Sequence, residues 1–395
     1  MSWQTHELPT GRLGVLESAD NDVPLSELCH FGARNNPKRG FLFVSTVLGK
    51  HLPADPARMH AMHRLLARKI QSDADAPVLF IGMAETGIAL AYGVYEAWVE
   101  LNASENSLGD GRAIFMHSTR YLIDGLPTLD FEEGHSHAPS QWLHHIADPA
   151  MREAARRART LVMLDDEVST GKTFLNLWRA IAPLYPAIER INIVTLTDFM
   201  GETRRTALDA ELGRPTTHVS AARAEWRFET QAWQAPNLPA PPPYHDPQLK
   251  PLPHLGRGGI DRPLSLPPEL LARVERLLEQ TQRSSGLRAI RVIGTGEFMH
   301  APYRLARWLE QVGVPVTLQS STRSPILEFG PILSTHRLDD PYGRGDPYFI
   351  YNAPRAEAPD DGELALILHE TAANPAIRRF AELIGAHALP WESAT

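Results

Sequence analysis

The first half of the chain is built around short apolar runs: Gly40-Phe-Leu-Phe-Val44, Val78-Leu-Phe-Ile81, Ala113-Ile-Phe-Met116, Leu161-Val-Met-Leu164 and Ile191-Asn-Ile-Val-Thr-Leu196. Runs without a polar face fit strands covered on both sides, and the helical patterns between them predict a parallel α/β sheet. Farther on, Leu270, Leu271, Val274, Leu277 and Leu278 mark one face of a helix introduced by Ser265 and Pro267. Strands are predicted again at Ala289-Ile-Arg-Val-Ile293, Val314-Pro-Val-Thr-Leu318, Tyr348-Phe-Ile-Tyr351 and Leu364-Ala-Leu-Ile-Leu368, so the second half is α/β as well. Between the halves, Pro236 to Pro253 holds eight prolines and too little apolar sequence for a core, which predicts an extended, semi-rigid linker. The expected organisation is a domain over 1–235, a Pro-rich linker over 236–262 and a second domain over 263–395.

Composition adds limits rather than structure. With 395 residues, 43% hydrophobic and 22% charged, the chain has the material for two compact cores. A net charge of -8 provides no general basic field for nucleic acid or an anionic membrane surface, so any anion site must be built locally. The one cysteine, Cys29, reads as a buried structural thiol, with no disulfide or thiolate cluster to form. No basic start leads into an apolar stretch, and no apolar run reaches membrane-spanning length, so a cytoplasmic location is expected.

The candidate chemistry centres on Leu161-Val-Met-Leu-Asp-Asp-Glu-Val-Ser-Thr-Gly-Lys-Thr173, where an apolar strand ends in two carboxylates, passes through a small-residue turn at Gly171 and enters a helix near Phe174. Backbone N–H groups of Ser169, Thr170, Gly171, Lys172 and Thr173 at a helix start suit a phosphomonoester, and the hydroxyls add donors. Asp165 and Asp166 would repel that phosphate at close range, so their task is to accept hydrogen bonds from a sugar diol; together the two parts suggest ribose 5-phosphate. A Walker A loop fails on spacing, because Asp166 stands where its first glycine is needed.

This segment resembles the phosphoribosyl pyrophosphate signature of type I phosphoribosyltransferases. The resemblance implies that Asp165 and Asp166 hold the ribose hydroxyls and that Ser169 to Thr173 hold the 5-phosphate. Purine-salvage members usually carry an aspartate at the position of Ser169, so simple hypoxanthine or guanine salvage does not follow. The place of Val78-Leu-Phe-Ile-Gly-Met-Ala-Glu-Thr-Gly-Ile88 resembles the family's pyrophosphate loop, with amides of Met83, Ala84, Glu85, Thr86 and Gly87 gripping the diphosphate and Glu85 facing Mg²⁺ through water. The family's mobile catalytic loop would fall between His117-Ser-Thr-Arg120 and Gln141. There Arg120 is the expected diphosphate clamp, and Glu132, Glu133, His135 and His137 assist a leaving group, bind metal or are simply solvated. Zinc does not suit two His at i and i+2 without thiolates; Mg²⁺ with diphosphate is the better ion, with Asp165 and Asp166 as its candidate ligands. Arg34 and Lys38, in Ala33-Arg-Asn-Asn-Pro-Lys-Arg-Gly40, are candidates for a hood over the acceptor.

The second half echoes the first. Gly294-Thr-Gly-Glu-Phe298 follows a strand as Gly82 to Gly87 does, Ser321-Thr-Arg323 repeats Ser118-Thr-Arg120, and Arg120 to Glu167 and Arg323 to Glu370 both span 47 residues. A diverged duplication is therefore expected, with the phosphate turn lost, since Leu368 and His369 replace the acids and Ala372-Ala-Asn374 replaces the turn. The polar loop Asp340-Pro-Tyr-Gly-Arg-Gly-Asp346 is a second ligand site or a subunit contact. Thr322-Arg-Ser-Pro325 resembles the TRSP domain that follows a phosphoribosyltransferase domain in tellurium-resistance and stress gene clusters. The expectation is Mg²⁺-assisted transfer of ribose 5-phosphate from phosphoribosyl pyrophosphate to a nucleobase-like acceptor. A non-catalytic sensor, the reverse cleavage and a pure assembly protein are the alternatives. Small molecules are the expected partners, which leaves room for a homodimer.

Overall fold

The computed structural model describes residues 2–34, 36, 39–73, 75–102, 111–132, 140–233, 246, 248–354 and 362–392. The first domain opens with β1 (Gln4–Leu8), β2 (Gly11–Glu17), α1 (Leu25–Leu28), β3 (Cys29–Ala33), β4 (Phe41–Ser45) and α2 (Pro56–Ala67). It continues through β5 (Val78–Gly82), α3 (Ile88–Asn102), β6 (Ala113–His117), β7 (Thr128–Glu132), β8 (Ser140–His144) and α4 (Pro149–Arg156). Then come β9 (Thr160–Val168), α5 (Lys172–Ile181), β10 (Arg190–Asp198), α6 (Glu202–Leu212) and β11 (Thr216–Thr230). Seven strands form one sheet in the order β1-β2-β11-β10-β9-β5-β6. The five from β11 to β6 are parallel, and β1 and β2 add an antiparallel edge.

Alternate residues of the apolar runs feed opposite faces of this sheet, as the period-2 side-chain geometry of a strand requires. Phe80, Val162, Leu164 and Val194 pack towards α3, whereas Leu79, Leu161, Met163 and Ile193 pack towards α4, α5 and α6. The run at 40–44 is an exception to the sequence reading. It pairs with β3 in a separate antiparallel hairpin instead of joining the central sheet. A buried hairpin strand presents the same apolar string as a central one, and only the partner differs. Cys29 is buried in β3, and burial pushes its thiol pKa up, which suits a packing role.

The second domain holds α7 (Pro268–Ser284), β12 (Ala289–Gly294), α8 (His300–Leu309), β13 (Val316–Ser320), β14 (Thr335–Leu338), β15 (Tyr348–Tyr351), β16 (Glu363–His369), α9 (Pro375–Ile384) and β17 (His387–Pro390). Its parallel sheet runs β13-β12-β16-β17, the order in which β6-β5-β9-β10 stand in the first. In both domains a helix follows the second strand of that order, and an antiparallel hairpin follows the first: β7–β8 in one, β14–β15 in the other. Thr119 bridges to Trp142 as Thr322 bridges to Phe349. The C-terminal half is therefore a shortened copy of the N-terminal fold, and the expected strand at 348–351 belongs to the hairpin rather than to the sheet.

The expected linker departs from an extended spacer over its described part. Leu249, Leu255 and Arg257 are buried, and Ile260 pairs with Phe115 along the free edge of β6. Met59 of α2 and Ala89 of α3 share an apolar core with Leu255, Phe298 and Leu305, which welds the two domains together. Among the described residues no helix is long and apolar enough to cross a membrane.

Candidate active site

Strand β9 continues beyond its apolar run through the acidic residues to Val168, because β10 keeps pairing with it there: Thr195 stands opposite Asp165 and Thr197 opposite Glu167. Asp165, Asp166 and Glu167 are half-buried, and Asp165 Oδ1 accepts the Asp166 backbone N–H at 2.9 Å. The chain then turns through Ser169 and Thr170 to Gly171, whose φ of 73° lies in the left-handed region. Leu208 of α6 presses on this glycine, and a Cβ there would stand 2.5 Å from Leu208 Cδ2. Helix α5 begins at Lys172 with no side chain capping it. The leading N–H groups of a helix lack intrahelical acceptors and carry partial positive charge, so an uncapped start beside an open turn favours an anion.

This turn borders a cleft of ≈ 410 Å³. Of the residues singled out in the sequence, Asp165, Asp166, Ser169, Thr170, Gly171, Thr173, Ala84, Glu85, Thr86, Arg34 and Arg120 line it together. Lys172 is exposed at the first position of α5 and is not part of the lining. Lys38, Glu133, His135 and His137 lie outside the described residues.

The loop after β5 is built differently from the expectation of five free amides. Met83 N–H donates to the Leu164 carbonyl at 2.8 Å, and Ala84 N–H donates to Ser118 Oγ at 2.9 Å. Gln141 braces the same point, donating to the Ala84 carbonyl at 3.0 Å and accepting from Ser118 Oγ at 2.5 Å. The Met83 and Ala84 N–H groups are thus engaged within the protein, and of this loop Ala84, Glu85 and Thr86 border the cleft whereas Met83 and Gly87 are not part of its lining. Gly87 lets the loop approach the acidic pair: a Cβ there would meet Asp165 Oδ1 at 2.7 Å. The peptide bond between Ala84 and Glu85 is cis.

Glu85 is paired with two cations. Its Oε1 lies 2.7 Å from Lys50 Nζ and its Oε2 lies 3.2 Å from Arg323 Nε, the latter reaching over from the second domain. Burial would raise the Glu85 carboxyl pKa, but Lys50 and Arg323 outweigh it and hold it at about 2. A carboxylate committed to two cations is a structural tie. Among the described residues no group of three or more His, Cys, Asp or Glu is placed to hold a metal ion. Mg²⁺ asks for less, since one or two carboxylates with substrate phosphates and water complete its shell, and the pair Asp165 and Asp166 fits that demand.

Several lining residues escaped the sequence reading. Arg39 donates to Glu167 Oε1 at 2.6 Å and stacks over Phe41 and Phe43, while Phe43 lies flat on Phe199 with ring centroids 3.8 Å apart. His51 also lines the cleft, and burial together with Lys50 pushes its pKa down to about 3, so its imidazole is neutral. Thr322, Arg323, Ser324, Pro325 and Asp346 of the second domain complete the lining. The sequence singled out Thr322 to Pro325 and the Asp340 to Asp346 loop as a separate ligand site or a subunit contact, and the structure brings Thr322 to Pro325 and Asp346 to the first domain's cleft instead.

The corresponding place in the second domain is filled. Glu370, at the position of Glu167, accepts from Arg257 Nη1 at 2.8 Å, from Arg257 Nη2 at 2.9 Å and from Tyr342 Oη at 2.6 Å. Asn374, at the position of Gly171, caps α9 by accepting the Ile377 N–H at 3.1 Å. His369 and Thr371 are buried, so no open turn remains there.

Solved structures similar to the chain include three adenine phosphoribosyltransferases. That of Trypanosoma brucei, solved with AMP, pyrophosphate and ribose-5-phosphate, is 11% identical, with 56% of this chain and 87% of that one covered at a TM-score of 0.33. Those of Thermoanaerobacter pseudethanolicus and Rhodothermus marinus are 16% and 15% identical, each covering 50% of this chain and 96% and 95% of their own, at TM-scores of 0.32 and 0.29. No curated protein matches the chain. A family model described as phosphoribosyl transferase matches residues 28–225, and one described as the TRSP domain C-terminal to that family matches residues 256–385. The open β9–α5 turn and the loop facing it thus lie in the part that matches, and the chain belongs to the phosphoribosyl transferase family, a pentosyltransferase followed by its TRSP domain.

Proposed function

We propose that the protein transfers ribose 5-phosphate from phosphoribosyl pyrophosphate to a nucleobase-like acceptor, with Mg²⁺, in the cytoplasm. The observation that carries this reading is the β9–α5 unit: two half-buried carboxylates lead straight into an uncapped helix start, both on one open cleft. The uncapped turn takes the 5-phosphate, and Asp165 and Asp166 take the ribose hydroxyls and, with them, Mg²⁺. The loop at Glu85 and Thr86 and the Arg120 guanidinium receive the diphosphate. Mg²⁺ held there would neutralise charge on the departing diphosphate. The C1–O bond to diphosphate breaks with its electron pair on oxygen, and the acceptor nitrogen forms the new bond to C1. The protein's part is to orient both groups and keep water from an oxocarbenium-like carbon. Phe43 and Arg39, which border the cleft beside Glu167, are the groups against which an acceptor ring would be set.

The test measures diphosphate release from phosphoribosyl pyrophosphate and Mg²⁺ across a panel of nitrogenous bases, with the melting temperature as a folding control. Turnover with at least one base is expected, and the combined Asp165→Asn and Asp166→Asn change should lower it by roughly a thousandfold or more while the fold is kept. Retained turnover in that variant sinks the assignment.

A further inference from the structure

One cation from the second domain enters the first domain's cleft. Arg323 follows β13 in the segment Ser321-Thr-Arg323, just as Arg120 follows β6. Its loop is tied at several points. Thr322 and Phe349 exchange backbone hydrogen bonds at 2.9 and 2.7 Å, and Leu327 N–H reaches the Ala33 carbonyl of β3 at 2.9 Å. Tyr351 Oη donates to the Ser324 carbonyl at 2.6 Å and accepts the Ile326 N–H at 2.8 Å. A loop held this way delivers its side chain already oriented, so little ordering entropy remains to be lost on binding.

The arrangement is reciprocal. Glu297, the counterpart of Glu85, accepts from Thr119 Oγ1 at 2.6 Å and from the Arg120 backbone N–H at 2.7 Å, both from the first domain. The charges, however, are not matched. In the second domain one cation, Arg257, serves two buried carboxylates, Glu297 and Glu370. In the first, two cations serve one: Lys50, itself buried, already neutralises Glu85, and Arg323 is added to it. The remaining partner of Arg323 is Asp346, 3.1 Å from Nη1 and 45% exposed, so water screens it. These contacts engage Nε and Nη1 of a five-donor fork, and Nη2 has no protein partner among the described residues while the side chain borders the cleft. A guanidinium with an unused donor nitrogen, lining the same cleft as Arg120 and the loop residues Glu85 and Thr86, matches an anion of high charge density.

We propose that Arg323 is a catalytic residue of the first domain's site, binding the diphosphate of phosphoribosyl pyrophosphate as a second guanidinium beside Arg120, so that the TRSP domain completes the cleft. This rests on the phosphoribosyl-transfer reading. As the C1–O bond breaks and its electron pair moves onto the diphosphate, the two guanidiniums take up the added charge, and no further reactant is needed.

The experiment titrates the full chain, with Mg²⁺, against phosphoribosyl pyrophosphate and separately against ribose 5-phosphate, for wild type, Arg323→Ala and Arg323→Lys. Arg323→Ala should weaken phosphoribosyl pyrophosphate binding by at least about tenfold and leave ribose 5-phosphate within about twofold, with Arg323→Lys in between. Turnover should fall in the same order. Equal phosphoribosyl pyrophosphate binding by wild type and Arg323→Ala overturns the proposal and leaves the transfer reading standing. A wild type that binds neither ligand removes both. If Arg323→Ala does not fold, Arg323→Lys decides: unchanged affinity for phosphoribosyl pyrophosphate overturns the proposal.

Discussion

The two halves share one fold, yet among the described residues the strand-to-helix corner opens on a cleft in the first and is filled in the second. In the first, β9 ends in carboxylates exposed to the cleft, and Gly171 leaves the start of α5 open. In the second, the same strand ends in Leu368 and His369, Asn374 seals the start of α9, and Arg257 and Tyr342 occupy the space around Glu370. The difference lies in a few positions at one strand-to-helix corner. A scaffold of this kind becomes a ligand site when its helix start is left uncapped, and becomes a packing interface when its own side chains fill that start.

The sharpest way to break this contrast is to remove the plug. Arg257 is buried with two carboxylates, so Arg257→Ala leaves both charges uncompensated and should cost about 3–5 kcal/mol of stability, read as a lower urea midpoint. A loss below about 1 kcal/mol would show that the second corner is not held by its plug. A smaller effect separates the two helix starts. Gly171→Ala forces a side chain into the left-handed region against Leu208 and should cost about 1–2 kcal/mol and also weaken ribose 5-phosphate binding. Asn374→Ala removes a cap, should cost about 1 kcal/mol, and should leave ligand binding unchanged. Equal binding by both variants would erase the distinction between the corners.

Near neutral pH the mildest effect is that of His51, which shows only as the pH is lowered. His51 beside the cleft is held neutral by burial and by Lys50, with its pKa at about 3. Unfolding returns it to about 6.5, so between these values the unfolded chain binds the extra proton. Its contribution is therefore fully favourable above pH about 6.5 and is lost as the pH falls towards 3. His51→Gln should flatten that part of the urea midpoint against pH curve, and an unchanged slope would assign the dependence to other groups.

Much of the site was legible because it is local. Asp165 to Thr173 form one strand, turn and helix start, so their spacing carries their chemistry. The central strands were legible too, since burial on both faces leaves an unbroken apolar string. What failed was whatever depends on a distant partner. The run at 40–44 gives no sign that it pairs with β3 rather than with the central sheet. Strand β11 alternates buried and exposed residues over part of its length and pairs antiparallel with β2, so it lacks the apolar run that marked its neighbours. Met83 and Ala84 look like free loop amides until Leu164 and Ser118 are brought beside them. Arg323 is 238 positions from Glu85, and only the repeated Ser-Thr-Arg segment hinted that the two belong together.

Lys50 and Arg323 on Glu85, against Arg257 on Glu297 and Glu370, also bear on heredity. Two identical chains assembled as a symmetric pair would receive every substitution twice, once in each half, so an arginine that plugs one corner would plug both. Joined in a single polypeptide, the halves mutate separately. One can give up its own substrate and be shaped solely by what it contributes to the other.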